Sequence, residues 1–144
     1  PPDVNSSPPE TLQPGRKLTR TPEQAWASEN CGARPLPFGR LERTEIVPAR
    51  VKAGGALIYR FAYVACVPPQ PGYVLGRFRT TVVQGSKEIN TRSDDTYPLE
   101  TGGWSIDTEV LVPKEAPPGI YTMDGSLSVK GVKLQDLLNF TVER

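Results

Sequence analysis

The chain has 144 residues, with 17 basic against 16 acidic side chains, a formal charge of +1 and no histidine. That balance supplies no basic stripe for nucleic acid, and no apolar run approaches the ~18 residues of a membrane-crossing helix. Without imidazole, Ser-His-Asp and Cys-His nucleophile systems, His-ligated zinc and histidine pH switches are excluded.

Residues 1–20 read PPDVNSSPPETLQPGRKLTR, in which Val4, Leu12 and Leu18 are the large aliphatics. Such a stretch buries too little apolar surface to offset the entropy of ordering it, so a flexible, polyproline-like linker is expected. The start at Pro1-Pro2 shows no initiator methionine, no charged n-region and no apolar h-region. The expectation is a trimmed product, from which a signal peptide or an upstream lipid-anchored cysteine has been lost, or a chosen boundary. Residues 21–144 are expected to form one domain. Thr21-Pro22-Glu23-Gln24 opens it with an N-cap hydroxyl, a proline at the first helical position and Gln where a capping box wants it. A short helix ending near Gly32 follows, with Trp26 packed beside Cys31.

From Arg40 the period becomes two. Residues 41–47 predict a first strand and residues 50–52 a brief continuation. The run ALIYRFAYVACV at 56–67 places Leu57, Tyr59, Phe61, Tyr63 and Ala65 on one face, as a central strand with a heavily buried side demands. Residues 73–83 alternate, with Val74, Phe78 and Val82 on one face and Arg77, Arg79 and Thr81 on the other. Residues 87–91 predict a short edge strand, and the polar tract 92–96 a crossover loop. Trp104, Ile106, Thr108, Val110 and Val112 share a face of the next strand. Tyr121, Met123, Leu127 and Val129 line another, and Leu138, Phe140 and Val142 a last one. Seven to eight short strands with turn chemistry between them predict an all-β, two-sheet antiparallel sandwich.

The closing residues carry a resemblance. WSIDTEVLVP from Trp104, then APPGIY, a glycine turn and NFTVER are similar to the last strands of bacterial immunoglobulin-like and macroglobulin-like modules. The resemblance covers 104–144 and implies an immunoglobulin-like sandwich. Antibody-type domains place their bridge inside the sandwich, whereas here Cys31 precedes the first strand. A bridge from the lead-in to a long strand is also found in pilins assembled by donor-strand exchange, but this chain supplies its own last strand.

Cys31 and Cys66 are an even count without CxxC spacing, and the β-rich pattern favours an oxidising compartment in which they pair. Closing such a loop contributes about 3 to 4 kcal/mol. An extracytoplasmic location follows as the expectation: periplasm, outer membrane or cell surface.

The candidate sites are few. Asp107 and Glu109 stand about 7 Å apart on one strand face, a spacing a carboxylate-pair hydrolase could use. A solvated sheet surface is the better account of them. Asp94 and Asp95 lack the remaining ligands of a calcium loop, so no metal and no cofactor is expected. Arg60, Arg77 and Arg79 are candidates for an anion- or protein-binding face. Tyr73, Tyr97 and Trp104 are candidates for a sugar-stacking platform. Asn5-Ser6-Ser7 and Asn139-Phe140-Thr141 match glycosylation triplets. The reading is a non-catalytic interaction or scaffolding module of a bacterial envelope or surface assembly, binding a protein through a sheet edge, loops or the arginine face. A carbohydrate-binding accessory module and a donor-strand-type subunit are the alternatives.

Overall fold

The Thr21 hydroxyl accepts from the Gln24 amide at 3.1 Å, while Gln24 Oε1 accepts from the Thr21 amide at 2.9 Å. This reciprocal capping box starts helix α1 (Pro22–Ser28), with proline at its first turn as the sequence predicts. A single 3-10 turn, Cys31–Ala33, follows and delivers the chain to the sheets.

The computed structural model describes residues 15–144, within which nine strands form two facing sheets. They are β1 (Gly15–Arg20), β2 (Phe38–Val47), β3 (Arg50–Lys52), β4 (Ala56–Cys66) and β5 (Val74–Gln84), followed by β6 (Lys87–Leu99), β7 (Gly102–Leu111), β8 (Gly119–Val129) and β9 (Val132–Glu143). One sheet runs β1-β7-β4-β2 and the other β3-β9-β8-β5-β6. All pairings are antiparallel except β3 with β9. The fold is a β-sandwich.

The core follows from the alternation of β4. Leu57, Tyr59, Phe61, Tyr63 and Ala65 are all buried and meet Phe78, Met123, Leu127 and Phe140 of the opposite sheet. Phe61 sets its ring edge-on to Phe78 at 5.3 Å between centroids, a favoured arrangement for aromatic quadrupoles. The Tyr63 and Tyr97 hydroxyls hydrogen-bond each other at 2.6 Å inside this core. The second face of β4 is covered towards its end, where Val64 and Cys66 are buried. Gly125 explains how the sheets come so close at Tyr59, because a Cβ there would stand 1.9 Å from the Tyr59 hydroxyl oxygen.

Two expectations are corrected. Residues 15–20, assigned to the linker, form the edge strand β1 along β7, with Arg16 opposite Ile106 and Leu18 opposite Trp104. The pairing is carried by partners ninety residues away, which local composition does not register. The remainder of the expected linker, with the Asn5 triplet, lies outside the described residues. Residues 92–96, expected as a crossover loop, belong to the continuous strand β6. An outer edge strand needs no apolar alternation, and charges along it discourage pairing with other chains. Among the described residues no helix is long and apolar enough to cross a membrane.

Candidate functional site

Cys31 and Cys66 are joined, with 5.7 Å between their Cα atoms. The bridge pins the lead-in against the end of β4, and α1 leans on β7 and β4 as a result. The far end of α1 is held electrostatically. Glu29 is buried and receives Arg40 Nη2 at 2.9 Å and Arg40 Nε at 3.1 Å, with Arg20 Nη1 at 3.4 Å. The Arg40 hydrogen bonds, with Arg20 beside them, hold the Glu29 carboxyl below the usual carboxylate range against the opposing pull of burial.

These ties raise one wall of an open groove of about 470 Å³ at this end of the sandwich. Pro22 and Trp26 come from α1, Leu18 from β1, Trp104 from β7, and Pro68 and Pro69 from the turn after β4. Each is fixed by its own contacts. Trp104 donates its indole N–H to the Glu100 carbonyl at 3.0 Å. The Arg16 guanidinium lies over that indole at 3.8 Å from the ring centroid and is paired with Glu100. Thr101 Oγ1 accepts from the Val67 amide at 2.9 Å and so locks the β4–β5 turn to the β6–β7 turn. Leu18 remains 48% exposed at the rim, an apolar side chain that the fold leaves in water.

The sequence candidates are distributed differently from the expectation. Arg60 lies on β4 in one sheet, whereas Arg77 and Arg79 lie on β5 in the other, so no common arginine face exists. Arg60 is engaged within the chain, by Asp107 at 3.2 Å and Glu45 at 3.1 Å. Arg77 meets Asp95 at 3.0 Å. The Ser93 hydroxyl, with Arg77 and Arg79 nearby, holds the Asp95 carboxyl below its ordinary range. Tyr73 is exposed, but Tyr97 is only 5% exposed and its ring belongs to the core. Its burial raises the pKa of its phenol, and the three-member aromatic platform therefore does not assemble.

Asp107 is a further correction. Expected on a solvated sheet face, it is 2% exposed, because β1 pairs beside β7 and its Lys17 brings Nζ over the carboxylate at 3.7 Å. Ser105 and Arg60 complete its partners. Glu109, two residues on, is exposed, so the two carboxylates do not form a matched pair. Asn139 lies exposed on β9 and accepts from the Thr122 hydroxyl at 2.9 Å. No cluster of three or more His, Cys, Asp or Glu side chains suited to a metal ion occurs among the described residues.

Sequence reasoning missed Arg16, Leu18, Glu29 and Thr101. All four act across turns or between distant strands, and only Gly32, three residues beyond Glu29, signalled that the helix ends there.

No family model and no curated protein matches the chain. Solved structures do. The Pseudomonas fluorescens alkylpurine DNA glycosylase AlkC, in complex with DNA containing an abasic site analog, is similar over 74% of this chain and 30% of its own, at 14% identity and TM-score 0.53. The Bacillus subtilis sporulation control protein Spo0M is similar over 74% of this chain and 49% of its own, at 10% identity and TM-score 0.44. A family 123 glycoside hydrolase from Clostridium perfringens is similar over 65% of this chain and 22% of its own, at 11% identity and TM-score 0.45. The chain thus spans less than half the length of each of these proteins. At such identities the likeness to the glycosylase is one of fold.

Proposed function

We propose that this chain is a non-catalytic, extracytoplasmic interaction module of a bacterial envelope or surface assembly. Its partner is a protein, and the groove between α1 and the start of β7 receives an extended, proline-bearing segment of it. The observation that carries this reading is the convergence of Trp26 and Trp104, 78 positions apart, on one open groove with Leu18, Pro22, Pro68 and Pro69. Grooves lined by aromatic rings take polyproline-type segments well, since such segments are already extended and lose little entropy on docking. The disulfide supports a location in an oxidising compartment, on the cell surface or in the periplasm. The immunoglobulin-like resemblance of the closing strands and an upstream lipid anchor belong to the same reading.

The sugar-binding alternative has less support, because its three aromatics do not share a surface. Nucleic acid is disfavoured by the charge of +1.

A photo-crosslinking residue tests the proposal in the native host. Placed at Glu23 on the groove rim, it is expected to yield one dominant protein adduct that Trp26→Ala abolishes. Placed at Ser86, in the turn at the opposite end, it should not give that adduct. The same adducts from both positions, or an adduct indifferent to Trp26→Ala, would sink the reading.

A further inference from the structure

The charge around the groove of Trp26 and Trp104 is of one sign. Its lining holds two ionisable side chains, Glu23 from α1 and Glu100 from the turn before β7, and no lysine or arginine. The arginines nearby are committed within the chain. Arg16 pairs with Glu100, Arg20 pairs with Glu29 and Glu42, and Arg34 lies over the Phe38 ring at 3.8 Å. Glu23 is exposed and has no ion-pair partner among the described residues.

The chain itself shows what such a setting holds. The Arg16 guanidinium lies 3.8 Å from the Trp104 ring centroid and pairs with Glu100, four residues before that tryptophan. An indole face and a carboxylate attract the same cation there. On α1, Glu23 and Trp26 are three residues apart and so neighbours on one helix face, and both line the groove. They repeat the pairing of Glu100 with Trp104, but among the described residues no cation meets either. Trp26 differs in a second way. The Trp104 indole N–H is spent on the Glu100 carbonyl, whereas that of Trp26 has no acceptor among the described residues.

We propose that the segment received by this groove carries an arginine, seated against Trp26 and Glu23. This rests on the reading of the groove as a dock for an extended, proline-bearing segment, and adds the charge that segment must bring. An apolar lining alone would accept such a segment with either charge, and a rim of one sign discriminates between them. Arginine suits the site better than lysine, because a planar guanidinium stacks on an indole while its fork bonds a carboxylate. Polyproline-type backbone makes no internal hydrogen bonds, so its carbonyls are free to accept from the Trp26 N–H.

NMR titration of the full-length chain, followed at the two indole N–H signals, tests this with three capped peptides. They are a hexaproline ending in arginine and its glutamine and glutamate counterparts. The arginine peptide should bind ~3- to 30-fold more tightly than the glutamine peptide, as one exposed cation–π contact and one exposed ion pair give. The glutamate peptide should bind most weakly. Glu23→Gln should weaken the arginine peptide ~2- to 5-fold and leave the glutamine peptide unchanged. Glu23→Lys should make the glutamate peptide the preferred one. Equal affinities for the three peptides would overturn the charge assignment and leave the groove reading standing. A preference for arginine that both Glu23 variants leave intact would also overturn it, since the cation would then sit elsewhere. Indole signals that none of the peptides moves would overturn both readings. Indole shifts that grow with protein concentration alone, alongside a sedimenting dimer, would make a second copy the occupant and overturn the proposal as well.

Discussion

The two flanks of the sandwich are built on different plans. On one, β2 and β9 close directly on each other. Gly39 leaves room for Val132 and Leu134, which a Cβ there would meet at 3.2 and 3.4 Å, and Thr44 bonds Asp136 across the seam. On the other, β7 and β6 stand apart, and the gap is bridged by single long side chains, Arg16 over Trp104 and Tyr97 and Arg92 to the Glu109 carbonyl. The lesson is that one fold can divide its labour. A dry seam carries stability through volume, while a seam held by discrete ties leaves grooves in which something else can sit.

That division gives the flanks different sensitivities, and the largest expected effect falls on the tied side. Replacing Cys31 and Cys66 together by serine should lower unfolding free energy by about 3 to 4 kcal/mol. Denaturant melts measure this, and limited proteolysis should then cut within α1 and spare β2 and β9. Cleavage that began in β2 or β9 would break the comparison.

The packed interior should answer to volume instead. Gly125→Ala forces a Cβ to within 1.9 Å of the Tyr59 oxygen, for an expected loss of about 1 to 3 kcal/mol. Because that hydroxyl is buried without a hydrogen-bond partner among the described residues, Tyr59→Phe alone should be close to neutral. Combined with Gly125→Ala, it should recover only the part of the loss owed to the oxygen, because the ring carbons Cζ and Cε2 would still stand 2.7 and 2.8 Å from the added Cβ. Full recovery in the double variant would show that the oxygen alone makes the clash.

Glu29 sharpens the comparison through pH. Its folded pKa is lowered from the ordinary 4.5, so its stabilisation is fully present above that value and is lost as pH falls through the lowered one. Glu29→Gln should cost about 1 to 2 kcal/mol at neutral pH and should remove this component of the acid loss. Thermal melts at neutral pH and at about pH 3 provide the check. A variant with the full acid sensitivity of the parent would show that Glu29 is not the group responsible. The smallest measurable effect is expected at Tyr97→Phe, which deletes one hydroxyl of the Tyr63 pair for about 1 kcal/mol.

Much of the dry side could be read from the chain. The alternation in 56–67 and in the last strand reflects burial between two sheets, and the same physics that spaces those residues makes them visible. The capping box at Thr21 and the pairing of Cys31 with Cys66 were legible for the same reason, since each needs only local chemistry or a count. The tied side was not. GRKLTR has one aliphatic residue, and its strand exists because Trp104 and Asp107 lie beside it. Asp107 alternates as a solvent-facing residue should, and only the arrival of β1 buries it. Tyr97 sits at the end of a charged strand and reads as a surface aromatic, yet Phe78 and Tyr63 draw its ring inward. The cluster of Arg60 with Arg77 and Arg79 failed because neighbouring strands in sequence, β4 and β5, belong to different sheets.

The groove has one more property. The chain contains two tryptophans, and both line it. Excited at the red edge, where tyrosine does not absorb, the protein's ultraviolet emission therefore originates from that groove alone, one indole on α1 and the other beneath the Arg16 cation. The molecule carries its own optical gauge of whether that surface is wet or occupied, without an added dye or label.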